Sequence, residues 1–418
     1  MRRILFTLAL VLIATGPALL APDAQARTDN QGFIYGRVVT DSGREYTGFL
    51  RWGDEEVFWD DLFHSVKEEM PYIDLVADEF DRDRDRKRSK RSRRISILKW
   101  VVDIEDDDFG GNRILVARFG DIESIEPTSN GAVLHMKTGS EYEVEGYAND
   151  VSSEIHVSDG TLGDIDLRWH RIDRIEFMPA PRDADPGVER LYGKVETDAG
   201  DFEGFIQWDK EECISIDELD GETRDGDVSI EFGKIRAIER RGSGGSLVVL
   251  KDGRELRLRG TNDVNDDNRG IMVEDPRYGR VTIYWDAFDK VTFMDGKGSG
   301  RAYDDYKPKG ELRGTVKTRN DDTYTGRLVL DLDESEDWEV LNGSLRDIDF
   351  DSPLSMIKTI SPKRWDESEV EFIGGDKLVL EEGQDVTENN DGVLVFTDDD
   401  RDPIYLEWEE IREIRLDH

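Results

Sequence analysis

Three stretches of this chain line up, and their self-similarity limits the fold more than any other feature. They are "YGRVVTDSGREYTGFLRWGDEE" from Tyr35, "YGKVETDAGDFEGFIQWDKEE" from Tyr192 and "RGTVKTRNDDTYTGRLVLDLDE" from Arg313. Each reads Gly-x-Val-x-Thr, a polar turn, then an aromatic-x-Gly-x-aliphatic run. Apolar residues alternate (Tyr46, Leu50, Trp52; Phe202, Ile206, Trp208), the period of a half-buried strand. The turns Ser42-Gly43 and Ala199-Gly200 suit hairpins. The third copy substitutes Asn320-Asp321-Asp322, a longer loop in which Asn and Asp serve.

A second family of strand, Gly turn and strand lies between them, starting at Val133, Leu247 and Val370. Both families share an ending: "FGDIESI" at Phe119, "WHRIDRI" at Trp169, "FGKIRAI" at Phe232, "WDAFDKV" at Trp285, "WEEIREI" at Trp408, and a degenerate copy at Ser355–Ile360. Its three-residue spacing predicts one 3₁₀ turn that drops the chain from one strand into the next. Each unit therefore reads as three strands, a variable loop, a fourth strand, a 3₁₀ corner and a short fifth strand.

That order resembles small SH3-like and Sm-like barrels, and "GREYTGFL" looks like the first hairpin of an Sm-like unit. The resemblance implies an all-β fold of six five-stranded barrel units in three A/B pairs, and it carries no binding residues with it. The units run 33–127 (1A, with an insertion at 64–95), 128–178 (1B), 190–241 (2A), 246–294 (2B), 311–362 (3A) and 368–418 (3B). A six-bladed β-propeller is the alternative. The fifth strand and the A/B alternation disfavour it. So do the Pro/Gly-rich linkers, Met178–Glu189 and Asp295–Gly310, which follow B units only.

Residues 1–26 read as a signal peptide: Arg2 and Arg3, the apolar run "ILFTLALVLIAT", and "AQA" before Arg27. The run is short for a membrane span, so no transmembrane segment is expected in the mature chain. We expect an exported bacterial protein, periplasmic or extracellular. The single Cys213 forms no intrachain disulfide, and its alternation with Ile214 and Ile216 reads as a strand thiol. The net charge of −40 argues against nucleic acid and suits a protein partner; an anionic envelope component is the other expected partner, and oligomeric state stays open.

The anionic partner rests on one departure from that charge. Nine Lys/Arg fall between Arg82 and Arg94, and Arg86, Lys87, Arg88, Lys90, Arg91, Arg93 and Arg94 are the candidate partner-binding residues. No Gly-x-Ser-x-Gly, His-Glu-x-x-His, P-loop or dinucleotide fingerprint occurs, so neither a catalytic site nor a cofactor is expected. "DVNDDNRGIMVE" sets Asp263, Asn265, Asp267 and Glu274 in an EF-hand frame, yet Gly falls at Gly270 rather than at the sixth place. Its sister copies keep the first Asp (Asp150, Asp385) and lose the rest, which reads as an Asx turn with the next Val plugging the core. The expected function is a non-enzymatic exported interaction or scaffold protein. A secreted hydrolase with a carboxylate cleft and a calcium-binding envelope protein are the alternatives.

Overall fold

The computed structural model describes residues 30–53, 55–69, 71–76, 114–146, 150–397 and 402–418. The basic run 86–94 and residues 1–26 lie outside them. Alternation makes strands residue by residue: along Tyr35–Thr40 every second residue (Gly36, Val38, Thr40) is buried.

The first segment runs β1 (Tyr35–Thr40), β2 (Glu45–Trp52), β3 (Leu62–Lys67), β4 (Ile114–Arg118), β5 (Ile122–Pro127), β6 (Gly131–Met136), β7 (Glu141–Glu145), β8 (Ile155–Asp159), β9 (Gly163–Leu167) and β10 (Ile172–Phe177). The second runs β11 (Tyr192–Thr197), β12 (Gly200–Gln207), β13 (Glu218–Glu222), β14 (Asp227–Glu231), β15 (Ile235–Arg240), β16 (Ser246–Leu250), β17 (Glu255–Leu258), β18 (Ile271–Asp275), β19 (Gly279–Ile283) and β20 (Phe288–Phe293). The third runs β21 (Arg313–Thr318), β22 (Thr323–Leu330), β23 (Val340–Ser344), β24 (Ile348–Pro353), β25 (Ile357–Arg364), β26 (Glu367–Phe372), β27 (Lys377–Glu381), β28 (Val393–Phe396), β29 (Ile404–Leu406) and β30 (Ile411–Leu416).

The protein is all-β, and every pairing is antiparallel. In the first segment the strand order is β4-β3-β7-β6-β5-β10-β1-β2-β8-β9. The third repeats it as β24-β23-β27-β26-β25-β30-β21-β22-β28-β29. The second keeps β17-β16-β15-β20-β11-β12-β18-β19, with β13 and β14 paired apart and tied back by the Glu222–Arg259 bridge. The expected unit boundary at 127/128 falls in the β5–β6 hairpin, and the ladder runs straight through it. Hairpin β1–β2 pairs with β8 and β10, while β3 and β4 join β7. Hairpin β1–β2 thus lies beside β8 and β10, and hairpin β6–β7 beside β5 and β3.

Five of the six shared endings form a 3₁₀ turn, at Phe119, Trp169, Phe232, Leu354 and Trp408. The aromatic or leucine at each turn is buried, because the turn tips it into the core. Core packing centres on the tryptophan that closes β2: Trp52 is fully buried against Phe63, Phe119 and Trp169, with ring centroids 5.6, 5.2 and 5.7 Å away.

Two readings of the sequence need correction. The repeated Asp is more than a local turn residue: its carboxylate crosses to a distant backbone. Asp150 Oδ2 accepts from His64 N (2.5 Å), Asp263 Oδ2 from Asp220 N (2.6 Å) and Asp385 Oδ2 from Asn342 N (2.7 Å). The adjacent Val151, Val264 and Val386 do plug the core. Cys213 lies outside any strand, buried with Phe33, Val57, Phe58 and Ile214, and burial pushes its thiol well up.

The invariant glycine of the long repeat follows from pairing on both sides. Gly48, Gly204 and Gly326 sit mid-strand, and a Cβ there would lie 2.0 Å from the carbonyl oxygen of Ser158, Glu274 or Phe396. Gly204→Ala should therefore cost at least about 1–3 kcal/mol, read as a lowered urea midpoint. Gly160→Ala, where a Cβ meets nothing within 4 Å, should leave the midpoint in place.

Candidate functional site

Each segment touches both others, largely through charges withdrawn from water. Between the first and second, Arg280 Nη2 donates to Asp61 Oδ1 at 2.8 Å, and its Nε donates to Glu274. Asp61 also closes the loop before β3, where its Oδ2 accepts from Val57 N (2.7 Å) and Phe58 N (2.8 Å). Arg190 forks onto both oxygens of Asp60 at 2.7 and 3.0 Å, and lies between Phe58 and Phe205, 3.8 and 4.2 Å from their ring centroids.

Between the first and third segments, buried Lys67 donates to Glu339 Oε1 (2.7 Å) and to the Asp333 carbonyl (2.8 Å). Burial opposes its charge, but Glu339, Asp333 and Glu334 outweigh burial and hold its pKa above the usual lysine value. Glu339 Oε2 meanwhile accepts from Ser335 N (2.6 Å) and Glu336 N (2.9 Å), as Asp61 does in its own loop. Trp338 follows the chain across and is fully buried in the first segment's core, 5.6 Å from Tyr142. The second and third segments share one sheet through β19–β24, in register from Arg280–Asp351 to Ile283–Ile348.

Where the three segments meet, two hollows share Arg280 and Asp351 as lining. One is a polar chamber of about 40 Å³, bounded by His64, Lys210, Tyr284 and Ser344 among others. It has room for a few water molecules. The other is a cleft of about 1010 Å³, walled by Leu62 and Arg118 of the first segment, Phe205 and Glu274 of the second, and Pro353 and Met356 of the third. Burial pushes Glu274 up to about 7, against the opposing pull of Arg280. Burial, then Asp349, pushes Asp351 up to about 6. Burial lowers Lys210 to about 8.

The linker Asp295–Gly310, read from the sequence as a tether, builds one wall of that cleft. Tyr303 and Tyr306 pack into the first segment's core, and Tyr303 Oη donates to the Ile122 carbonyl at 2.9 Å.

The structure separates the residues of the EF-hand frame. Glu274 is tied to Arg280, whereas Asp263 groups with Asp209 and Glu212, carboxylate oxygens within 4.8 Å of one another. Asp331, Glu334 and Asp385 repeat this group in the third segment; the first has Gly53 at the leading position. Each group has the donor type a hard cation takes, but its aspartates already serve the protein. Asp209 accepts from Arg269 N (2.5 Å) and from Asn262, and Asp331 from Gln384 (2.6 Å) and Asp391 N. Glu212 is pushed up to about 9, by burial first and Asp263 second. The seven basic residues from Arg86 to Arg94 lie outside the described residues.

Arg280, Lys67 and the linker tyrosines carry the junction, and the sequence reading passed over them. One signal was present: Asp61, Asp217 and Glu339 align, each closing the same loop, and Asp217 accepts from Cys213 N (2.7 Å) and Ile214 N (2.9 Å). No family model, curated protein or solved structure matches the chain. Among the described residues no helix is long and apolar enough to cross a membrane.

Two outcomes follow from these geometries. Arg280→Met strips Asp61 and Glu274 of their buried cation and should cost about 3–5 kcal/mol in chemical denaturation. Glu212, Glu274 and Asp351 bind protons more tightly folded than unfolded, where carboxyls titrate near about 4. Their stabilisation is complete below that unfolded value and is lost as pH rises through about 6, 7 and 9. The melting temperature should thus fall between mildly acidic and mildly alkaline buffer, and Glu212→Gln with Asp351→Asn should flatten the fall. A melting temperature that climbs with pH would contradict this account.

Proposed function

We propose that the chain is an exported, non-enzymatic interaction protein of the bacterial envelope, built from six small SH3-like barrel units whose halves exchange hairpins. In this reading each five-strand group, such as β10-β1-β2-β8-β9, is one barrel in the 5-1-2-3-4 order of unit positions. The reading of export rests on the basic, apolar and small-residue run at 1–26. One observation carries the interaction reading. The cleft is assembled from all three segments, and most of its buried charges are spent on one another, as in Arg280 with Asp61 and Glu274. Such a junction makes a rigid, shaped surface rather than a reacting centre. The cleft is one contact surface, and the basic run from Arg86 to Arg94 is the other.

A hydrolase is the second reading, and one observation favours it: Glu274 and Asp351 line the same cleft, with values lifted to about 7 and about 6. The Arg280 contact gives Glu274 a structural role that accounts for its burial without chemistry.

The test is crosslinked capture from envelope fractions, using the full chain, a deletion of residues 82–94 and the cleft variant Met356→Arg. The deletion should melt like the full chain and lose salt-sensitive envelope association, while Met356→Arg should lose the crosslinked partner. Unchanged association and capture in both variants would overturn the proposal.

A further inference from the structure

Residues 296–301 of the loop 295–301, "DGKGSGR", line the cleft. Gly296, Gly298 and Gly300 have φ of +75°, +74° and +108°, while Lys297 and Ser299 between them do not. Positive φ at alternate residues is compatible with a backbone nest, in which successive N–H groups hold an anion. The N–H groups of Gly296, Lys297, Gly298 and Gly300 donate to no protein atom among the described residues. Ser299 pins the loop from behind: its Oγ accepts from Gly32 N (2.9 Å) and its carbonyl from Arg190 Nη1 (3.0 Å).

Two cations flank the loop. Lys297 Nζ lies 5.0 Å from the Tyr192 ring centroid and has no carboxylate partner among the described residues. Arg301 lies 4.2 Å from the Tyr306 ring and spends one nitrogen on the Asp305 carbonyl. Holding these charges on ring faces orders them without neutralising them. Tyr306 also lines the cleft, is only 2% exposed, and its hydroxyl has no partner.

Carboxylates line the cleft as well, but four are engaged: Asp60 by Arg190, Glu274 by Arg280, Asp275 by Arg277 and Asp305 by Ala302 N. Glu189 and Asp351 are not so engaged, and Asp351 is held partly toward its neutral form by burial. Along the loop the uncommitted groups are therefore donors: backbone N–H, ammonium, guanidinium and phenol. Leu62, Phe205, Pro353 and Met356 add an apolar wall beside them.

We propose that the loop 295–301, with Lys297, Arg301 and Tyr306, binds a tetrahedral oxyanion, a phosphate or sulfate monoester, whose organic body lies against that wall. The inference gives a ligand class to the cleft and rests on reading the cleft as a contact surface.

The experiment is calorimetric titration of the mature chain at low salt with inorganic phosphate, inorganic sulfate and phenyl phosphate. Phenyl phosphate should bind more tightly than either inorganic anion, because only it reaches the apolar wall. Lys297→Ala with Arg301→Ala should weaken it about tenfold or more, as expected for charge-assisted contacts to an oxyanion, without shifting the melting temperature. Tyr306→Phe should weaken it a few-fold, and Lys358→Ala, a surface lysine on β25, should change nothing. Absence of heat with all three probes overturns the proposal. So does binding that Lys358→Ala weakens as much as the loop variants do. Partner capture without anion binding would sink this inference alone, and anion binding without an envelope partner would sink the interaction reading alone. Release of phenol with phosphate would move the cleft to the hydrolytic reading while keeping the oxyanion site.

Discussion

A strand whose paired neighbour brings a carbonyl oxygen to where a Cβ would sit has no room for a side chain at that position. Gly48, Gly204 and Gly326 meet that condition, and the architecture follows from it. Because β2 accepts β8 as well as β1, the first hairpin leaves its sequence neighbour β3 and joins strands from the second half. Strand β3 then turns to β7, and the two halves are bound into one ten-stranded ladder through β5 and β10. Trp52 and Trp208 reinforce the crossing, each donating its indole N–H to the carbonyl of the repeated Asp, at 2.7 and 2.9 Å.

The junction among segments adds a second level. Asp61 and Glu339 occupy equivalent places and each divides its oxygens, one for its own loop and one for a cation from another segment. That division ties the local turn to the assembly of the segments. Edge strands elsewhere are blunted. Where Arg280 pairs across to Asp351, the equivalent positions on β9 and before β29 are Asp164 and Pro403. Charge and proline both discourage further pairing, which accounts for sheet continuation at β19–β24 and not at those equivalent edges.

Much of the strand pattern was legible because burial alternates with period two, and an aromatic announced four of the five 3₁₀ corners. The recurrence of Asp150, Asp263 and Asp385 was legible too, but its purpose was not. Their acceptor roles reach N–H groups 86, 43 and 43 residues away, and a single sequence shows recurrence without showing partners. The same blindness hid the placement of the hairpins, since both connectivities bury the same residues. The EF-hand frame, kept only as an alternative, is separated for a related reason: sequence spacing puts Glu274 with Asp263, whereas the strand that carries Glu274 turns it toward Arg280. The linker tyrosines were masked by their setting, because a Gly/Pro-rich stretch reads as a tether whatever aromatics it carries.

Strand β10 pairs with both β1 and β5, so it joins the two halves of the first segment. Arg37 on β1 meets Glu176 on β10, 139 residues away along the chain. A nascent chain that stops before Phe177 therefore lacks the strand that joins β1 to β5. Folding of such a segment is governed by closure of long loops and is intrinsically slow. The first hairpin stays a marginal, unpaired ribbon until β8 arrives to pair with β2, and that delay lengthens the time for which this acidic chain presents unpaired edges.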